Sequence, residues 1–193
     1  MDSYNKMHPV MFGEYIPLGK IFPWLYRLTP MGNGLNIGEG PAAFEVGKVR
    51  MSPSICYENT VPHLIRKQVN QLTESGNGPH ALVTISNDGW FWGSSQLEIH
   101  LACGIFRAVE TRLPMLIAAN TGVSADIAAS GKVRSRGTRL QREYLIAEVR
   151  PVEPARTVYL ATGDWLGVGC ACVCLLGGIG IWRERKPSGY PSQ

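Results

Sequence analysis

The sequence predicts an α/β domain in which apolar strands alternate with amphipathic helices. Three observations lead there. Ala81 to Ser86 and Met115 to Ala119 are nearly continuous apolar runs of strand length, the pattern of strands buried on both faces. Between them, Gln96 to Arg112 carries Ile99, Ala102, Cys103, Phe106 and Val109 along one helical stripe. A second helical segment, Val61 to Ser75 with Leu64, Ile65, Val69 and Leu72, separates an earlier strand, Val49 to Ile55, from the first of those runs. Strand, helix, strand, helix, strand is the order of an α/β sheet.

Met1 to Ile16 is broken by Pro9 and Gly13 and reads as a loop flanked by short extended pieces. Leu18 to Leu28 is rich in apolar and aromatic residues, interrupted by Pro23, and suits either the core or a membrane face. Met31 to Gly40 is a Gly/Asn loop, and Ala42 to Val46 with Lys48 to Ile55 forms a hairpin turned at Gly47. Gly76-Asn77-Gly78-Pro79 stops the first helix. The strand at Ala81 to Ser86 ends in a turn, Asn87 to Phe91, after which Ser94 or Ser95 caps the second helix and Pro114 ends it. The following strand ends at Asn120-Thr121-Gly122. Ser124 to Ala128 and Lys132 to Arg136 make an antiparallel hairpin around Gly131, and Tyr144 to Val149 is expected to be a last strand.

With 193 residues, 45% hydrophobic and 18% charged, the chain is long enough for one domain with a sizeable core. Its net charge of +4 comes from 19 basic residues that are spread out, so nothing points to nucleic-acid binding. The five cysteines suggest neither a disulfide scaffold nor a metal centre, and the alternating Cys170, Cys172 and Cys174 lie in an apolar run with no nearby His. No metal or cofactor is implied. The N-terminus has no apolar stretch of the signal-peptide kind. Trp165 to Trp182, by contrast, is eighteen residues without a charge. At about 1.5 Å per residue it would span roughly 27 Å, close to a bilayer core. Trp at both ends fits the membrane interface, and glycines are tolerated between packed membrane helices. Arg183, Arg185 and Lys186 would keep the tail cytoplasmic and put everything before Trp165 outside.

The stretch Val49 to Glu58, V-R-M-S-P-S-I-C-Y-E, delivers Cys56 at a strand end ahead of a helix. That placement exposes a thiol at a sheet rim beside free backbone N–H groups that can face an oxyanion. A lone Cys in this position is otherwise a small buried hydrophobe. Three strand ends can meet at one rim: Cys56-Tyr57-Glu58, Asn87-Asp88-Gly89-Trp90 and Asn120-Thr121-Gly122. The loop with Lys6 and Glu14 is a candidate fourth wall. An ammonium lowers a thiol pKa and can hold an oxyanion, while a carboxylate can take the proton or orient the lysine. His8, His63, His80 and His100 leave a Cys–His alternative open, although each reads more simply as structural or surface. Trp90 either lines the substrate entry or packs at a strand end. Arg107, Glu110 and Arg112 read as an ion-pair set on the helix.

Lys6 with Phe12-Gly13-Glu14-Tyr15, Ile55-Cys56-Tyr57-Glu58, Ser86-Asn87-Asp88-Gly89-Trp90-Phe91, Arg107 to Arg112 and Ala119-Asn120-Thr121-Gly122 follow one another in the order of the carbon–nitrogen hydrolase (nitrilase) superfamily. Within it the chain resembles the membrane-bound branch, the apolipoprotein N-acyltransferases. Thr157 to Asp164 leading into the last apolar segment also looks like that branch.

The resemblance implies an α-β-β-α sandwich, incomplete at its N-terminus, in residues 1–155. A linker at 156–164, a transmembrane helix at 165–182 and a cytoplasmic tail at 183–193 would come after it. It implies Cys56 as nucleophile and acyl-thioester carrier, Lys6 as holder of the oxyanion and the Tyr57 N–H as second oxyanion donor. Glu14 would orient Lys6 or assist proton movement, and Glu58 would support the site. Asn87, Trp90 and Asn120 would line the substrate. The implied partners are a phospholipid acyl donor, a diacylglyceryl-modified lipoprotein acceptor and the membrane. The implied location is the bacterial inner membrane with the catalytic domain on the extracytoplasmic side. The superfamily's general-base glutamate lies tens of residues before its lysine, whereas five residues precede Lys6 and Asp2 is the one acid among them. The expectation is therefore of the C-terminal part of an acyltransferase, with a small-amide hydrolase or a catalytically incomplete membrane-anchored fragment as alternatives.

Overall fold

The computed structural model describes residues 3–19, 21–28, 34–152 and 155–184, with side chains in the last helix described as far as Ile181. Asp2 and the basic tail from Arg185 onward lie outside the described residues. Six strands form one mixed sheet in sequence order: β1 (Phe44–Val46), β2 (Val49–Ile55), β3 (Ala81–Ser86), β4 (Met115–Ala119), β5 (Ala125–Ile127) and β6 (Val133–Arg136). The middle pairs β2–β3 and β3–β4 are parallel, and the outer pairs are antiparallel. Helix α1 (Pro62–Glu74) crosses from β2 to β3 and α2 (Gln96–Thr111) from β3 to β4. The β1–β2 hairpin closes in two residues, Gly47 and Lys48, with Gly47 at φ 62.

One face of the sheet meets the helices. Ser52, Ser54, Leu82, Thr84, Met115, Ile117, Ala125 and Ile127 occupy it by register and are buried. The core joins the apolar members of this set to Ile65 and Val69 of α1 and to Leu101 and Ala108 of α2. The polar members are satisfied beneath α1: Ser54 Oγ and Thr84 Oγ1 are 2.7 Å apart, and Gln68 Nε2 donates to Ser52 Oγ at 2.5 Å and to Pro53 O at 2.7 Å. The opposite face presents Pro53, Val83 and Leu116 in one row and Ile55, Ile85 and Ala118 in the next, and Ile85 is 59% exposed.

The apolar stripe read along α2 is its more exposed side. Ile99 and Phe106 are exposed, Phe106 by 62%, whereas Leu97, His100, Leu101, Gly104, Arg107, Ala108 and Thr111 are buried. The buried stripe contains ionisable groups that find partners inside the domain, so hydrophobic periodicity points to the wrong face. Gly104 lies where a Cβ would press on Ile117, so the helix approaches the sheet closely there. Ser94 Oγ accepts from Gln96 N at 3.3 Å, and Ser95 makes no side-chain cap. Tyr144 to Val149 is not a strand: among the described residues it pairs with none, and Tyr144 and Ile146 are exposed while Leu145, Ala147 and Val149 are half-buried. Among the described residues of Leu18 to Leu28, only Pro23–Leu28 is helical, a 3₁₀ turn, and Leu18, Ile21, Phe22 and Trp24 are exposed.

Inside the expected linker lies a short helix, α3 (Val158–Thr162), whose Leu160 enters the core. It leads into α4 (Trp165–Glu184), whose described side chains are all exposed. Among the described residues no helix is long and apolar enough to cross a membrane. The span expected over 165–182 reaches one residue beyond the described side chains of α4.

Candidate active site

Strand β2 ends with Ile55 in extended backbone, and Cys56 turns the chain at φ 53, the left-handed region that non-glycine residues enter at a cost. A 3₁₀ turn, Cys56–Thr60, comes at once. A strained strand-to-helix turn of this kind lifts a side chain above a sheet edge. Cys56 is a free, partly exposed thiol. The leading N–H groups of a helical turn lack partners within it, and here they come directly after the thiol.

Glu58 sits at the third position of that turn and is 0% exposed. Its Oε2 accepts from Ile55 N at 2.7 Å and from the Tyr4 hydroxyl at 2.9 Å. Its Oε1 accepts from Met7 N at 2.6 Å and His8 N at 3.0 Å. Two residues that come after Lys6 are thereby tied to the residue that precedes Cys56. A buried carboxylate survives without a cation when several donors replace its lost water. The same arrangement acts on Tyr4: burial first, then the adjacent Glu58 charge, pushes its phenol well above the usual range. The His8 and Tyr57 rings stack with centroids 6.0 Å apart, closing the seam from outside.

Lys6 is 5% exposed, and its Nζ lies 2.6 Å from Glu14 Oε2. The same oxygen accepts from Val10 N at 2.8 Å, so Glu14 closes the Val10 to Tyr15 turn and holds the ammonium together. Gly38 N donates to Lys6 O at 2.9 Å and Leu35 N to Glu14 O at 3.0 Å, which backs the loop with the next segment.

The other two strand ends form one polar network. Asp88 is buried; Ser86 Oγ donates to its Oδ1, and His100 Nδ1 lies 3.0 Å from the same atom. A carboxylate only accepts, so the proton is on Nδ1. Asp88 N donates to Asn120 Oδ1 at 3.1 Å, and Asn120 Nδ2 donates to Asn87 Oδ1 at 2.6 Å. The network reaches the Cys56–Thr60 turn through Asn59 Nδ2, which donates to His100 O at 3.1 Å. Burial works to raise the Asp88 pKa, but the hydrogen bonds from His100 and Ser86 and the His100 charge outweigh it and hold the carboxyl below the usual range. Gly122 packs so closely that a Cβ there would overlap Asp88 Oδ2.

Of the residues singled out in the sequence, Lys6, Glu14, Cys56, Tyr57 and Glu58 belong to one seam. Asn87 and Asn120 are bonded to each other on the neighbouring rim. Trp90 stands 80% exposed beyond them. Arg107 pairs with Glu110 at 2.7 Å, away from the seam, while Arg112 is the exposed, left-handed end of α2. Sequence reading gives no role to Tyr4 or Asn59, takes Asp88 only as part of a strand-end turn, and weighs His100 only as a Cys–His alternative or a structural residue. The available signal was an Asp at a strand end and, on the buried side of the next helix, a His. His80 accepts from Arg50 N at 3.0 Å and His63 is exposed, so neither serves a Cys–His pair in the seam. Among the described residues no group of His, Cys, Asp and Glu is arranged to hold a metal ion.

A six-stranded mixed sheet with two crossover helices, a free thiol on a strained turn and a buried lysine–carboxylate pair in the adjoining loop defines an α/β domain that presents a thiol at a strand end. Residues 1–157 match the carbon–nitrogen hydrolase family, and the chain belongs to it. The apolipoprotein N-acyltransferase of Rhodopirellula baltica is 34% identical over 193 residues, covering 96% of this chain and 34% of that protein. That of Geobacter metallireducens is 36% identical over 166 residues, covering 86% of this chain and 30% of the relative. The chain thus spans about a third of the length of the curated relatives it matches. A carbon–nitrogen hydrolase superfamily protein from Xanthomonas campestris shares the fold, with a TM-score of 0.50 and 18% identity over 72% of this chain and 49% of that one.

Proposed function

We propose that this chain is the thiol-bearing part of an apolipoprotein N-acyltransferase, which moves an acyl chain from a phospholipid to the N-terminal amine of an S-diacylglyceryl cysteine. The observation that carries the reading is the seam at Glu58. One buried carboxylate joins the loop of the buried Lys6 ammonium to the backbone that presents Cys56.

The Cys56 thiolate attacks the ester carbonyl of the donor. The Lys6 ammonium and the Tyr57 N–H receive the tetrahedral oxyanion. The C–O bond breaks, the lysophospholipid leaves with a proton, and the acyl chain remains as a thioester on Cys56. The acceptor amine then attacks that carbonyl, the C–S bond breaks, the amine gives up its proton and the thiolate is restored. Exclusion of water favours the amine over hydrolysis. Glu14 orients Lys6 and moves protons; Glu58, with four donors already on it, is a fastener and not a base. Asn87, Asn120 and Trp90 line the approach of substrate. The general base is contributed by another carboxylate of the complete active site.

In the same reading, α4 is the anchor. Trp165 to Trp182 carries no charge, and every described side chain in it is exposed, which suits an apolar surround. The domain then lies on the extracytoplasmic side of a bacterial inner membrane, with the C-terminus cytoplasmic.

The test is thiol-trapping mass spectrometry of the detergent-solubilised protein after incubation with phospholipid. An acyl adduct on Cys56, absent in Cys56→Ala, supports the reading. Turnover of a small amide with no acyl adduct from phospholipid would replace it with amide hydrolysis.

A further inference from the structure

We infer that Arg66 is a positioning residue that fixes the direction in which α4 leaves the domain, and through it the presentation of the Cys56 rim to lipid; this rests on α4 being embedded as proposed above.

Helix α3 has five residues, too few to persist without outside support. Its N-terminus is held by Thr157, whose Oγ1 accepts from Leu160 N at 3.0 Å and donates to Glu110 O of α2 at 2.6 Å. Its C-terminus is held from α1. Arg66 Nε donates to Tyr159 O at 2.9 Å and to Leu160 O at 3.0 Å, and its other arm, Nη2, reaches Ala161 O at 2.9 Å. Asn70 Nδ2 adds a bond to Leu160 O at 2.9 Å. The last carbonyls of a helix have no partners of their own and carry partial negative charge. A guanidinium is suited to both needs, because it is cationic and its donors are spread in a rigid fork.

The segment after the clamp makes it directional. Gly163 reverses the chain at φ 64, and a Cβ there would lie 3.3 Å from Arg66 Cζ. Only Thr162, Gly163 and Asp164 separate the last clamped carbonyl from the first residue of α4. The lever is short, so the orientation of α3 is passed to α4. The other end of the lever is close to the chemistry, since Arg66 lies on the helix that begins directly after the Cys56–Thr60 turn. The nucleophile and the anchor are therefore connected through one helix and one guanidinium.

The experiment compares Arg66→Met with the unaltered full chain, reconstituted in phosphatidylethanolamine vesicles. Met keeps an unbranched apolar stem and loses the guanidinium donors. Two donors are used: the vesicle phospholipid itself and a water-soluble short-chain p-nitrophenyl ester, which reaches Cys56 without passing through lipid. The expected result is that the ester burst is unchanged while acyl-enzyme formation from phospholipid falls by roughly tenfold to a hundredfold, the scale of a misplaced reaction geometry. Arg66→Lys should recover part of the loss, and deletion of 165–193 should reproduce the Met variant. Equal loss with both donors, or loss with neither, overturns the assignment of Arg66. An unaltered protein that forms no acyl-enzyme with either donor, both alone and joined to the rest of a complete acyltransferase chain, overturns the acyl-transfer reading itself. A deletion with unchanged phospholipid reaction overturns the anchor.

Discussion

Replacing Glu58 by Gln isolates the seam between the Lys6 loop and the Cys56 turn. Gln has the shape of Glu but turns one acceptor atom into an NH₂ group. Placed at Oε1, that group would face the amides of Met7 and His8, neither of which can reverse. Placed at Oε2, it would face Ile55 N–H and the Tyr4 hydroxyl, and only the hydroxyl can rotate to accept. The second arrangement is cheaper. It leaves one buried amide unpaired and weakens the remaining bonds from charge-assisted to neutral. An orphaned buried donor costs about 1–3 kcal/mol, and a charged acceptor is worth roughly 1 kcal/mol more than a neutral one. Relief of the buried charge offsets part of this, so Glu58→Gln should lose about 2–4 kcal/mol. Against a total stability of about 5–15 kcal/mol the variant still folds, whereas Glu58→Ala, with four orphaned donors, does not fold reliably. Urea denaturation monitored by far-ultraviolet circular dichroism measures the difference. A Gln variant within about 0.5 kcal/mol of the parent would refute the ionised, fully bonded Glu58 on which the reasoning depends.

Three further outcomes can be checked on the same material. Cys56→Gly should remove the thiol yet be at least as stable as Cys56→Ala, because it relieves about 1–2 kcal/mol of left-handed strain; a clearly lower midpoint for Gly would contradict this. Gly122→Ala should destabilise by more than about 2 kcal/mol, since the added methyl overlaps Asp88 Oδ2, and the double variant with Asp88→Ala should lose less than the sum of the singles in melting experiments. Asp88 has a depressed pKa, so its contribution is complete above the ordinary Asp value near pH 4 and disappears as pH falls below it. Stability measured from pH 6 downward should therefore show an acid limb that is shallower in Asp88→Asn; an unchanged limb would mean that the Asp88–His100 pair is not what acid breaks.

The strands most legible in the sequence are those whose residues are apolar without interruption. Ala81–Ser86 and Met115–Ala119 form with the expected bounds, because an apolar run of strand length bounded by turn residues is readable from its own residues. Helix α2 was legible as a helix but not in its orientation. His100 and Arg107 are buried because Asp88 and Glu110 receive them, and a periodicity count takes such residues for surface. Tyr144 to Val149 has the composition of a strand, but strand formation requires a neighbour, which composition does not reveal. In the candidate site, Cys56 and Lys6 were visible as motif residues. The four-donor environment of Glu58 was not, because its donors are backbone amides and a phenol brought together by folding, two of the amides from 51 and 50 positions away.

Turns at strand ends are usually the segments of an α/β domain most free to change from one relative to another. Here that freedom is curtailed by the chain of bonds from Asn87 through Asn120, Asp88 and His100 to Asn59. A substitution in the Asn120 turn is felt at the turn that carries Cys56, although 64 positions separate them in the sequence, counting 120 − 56. Variation at any one of the three turns becomes tolerable only alongside matching change at the others, so across descendants of this sequence the rim should drift as a block and not residue by residue.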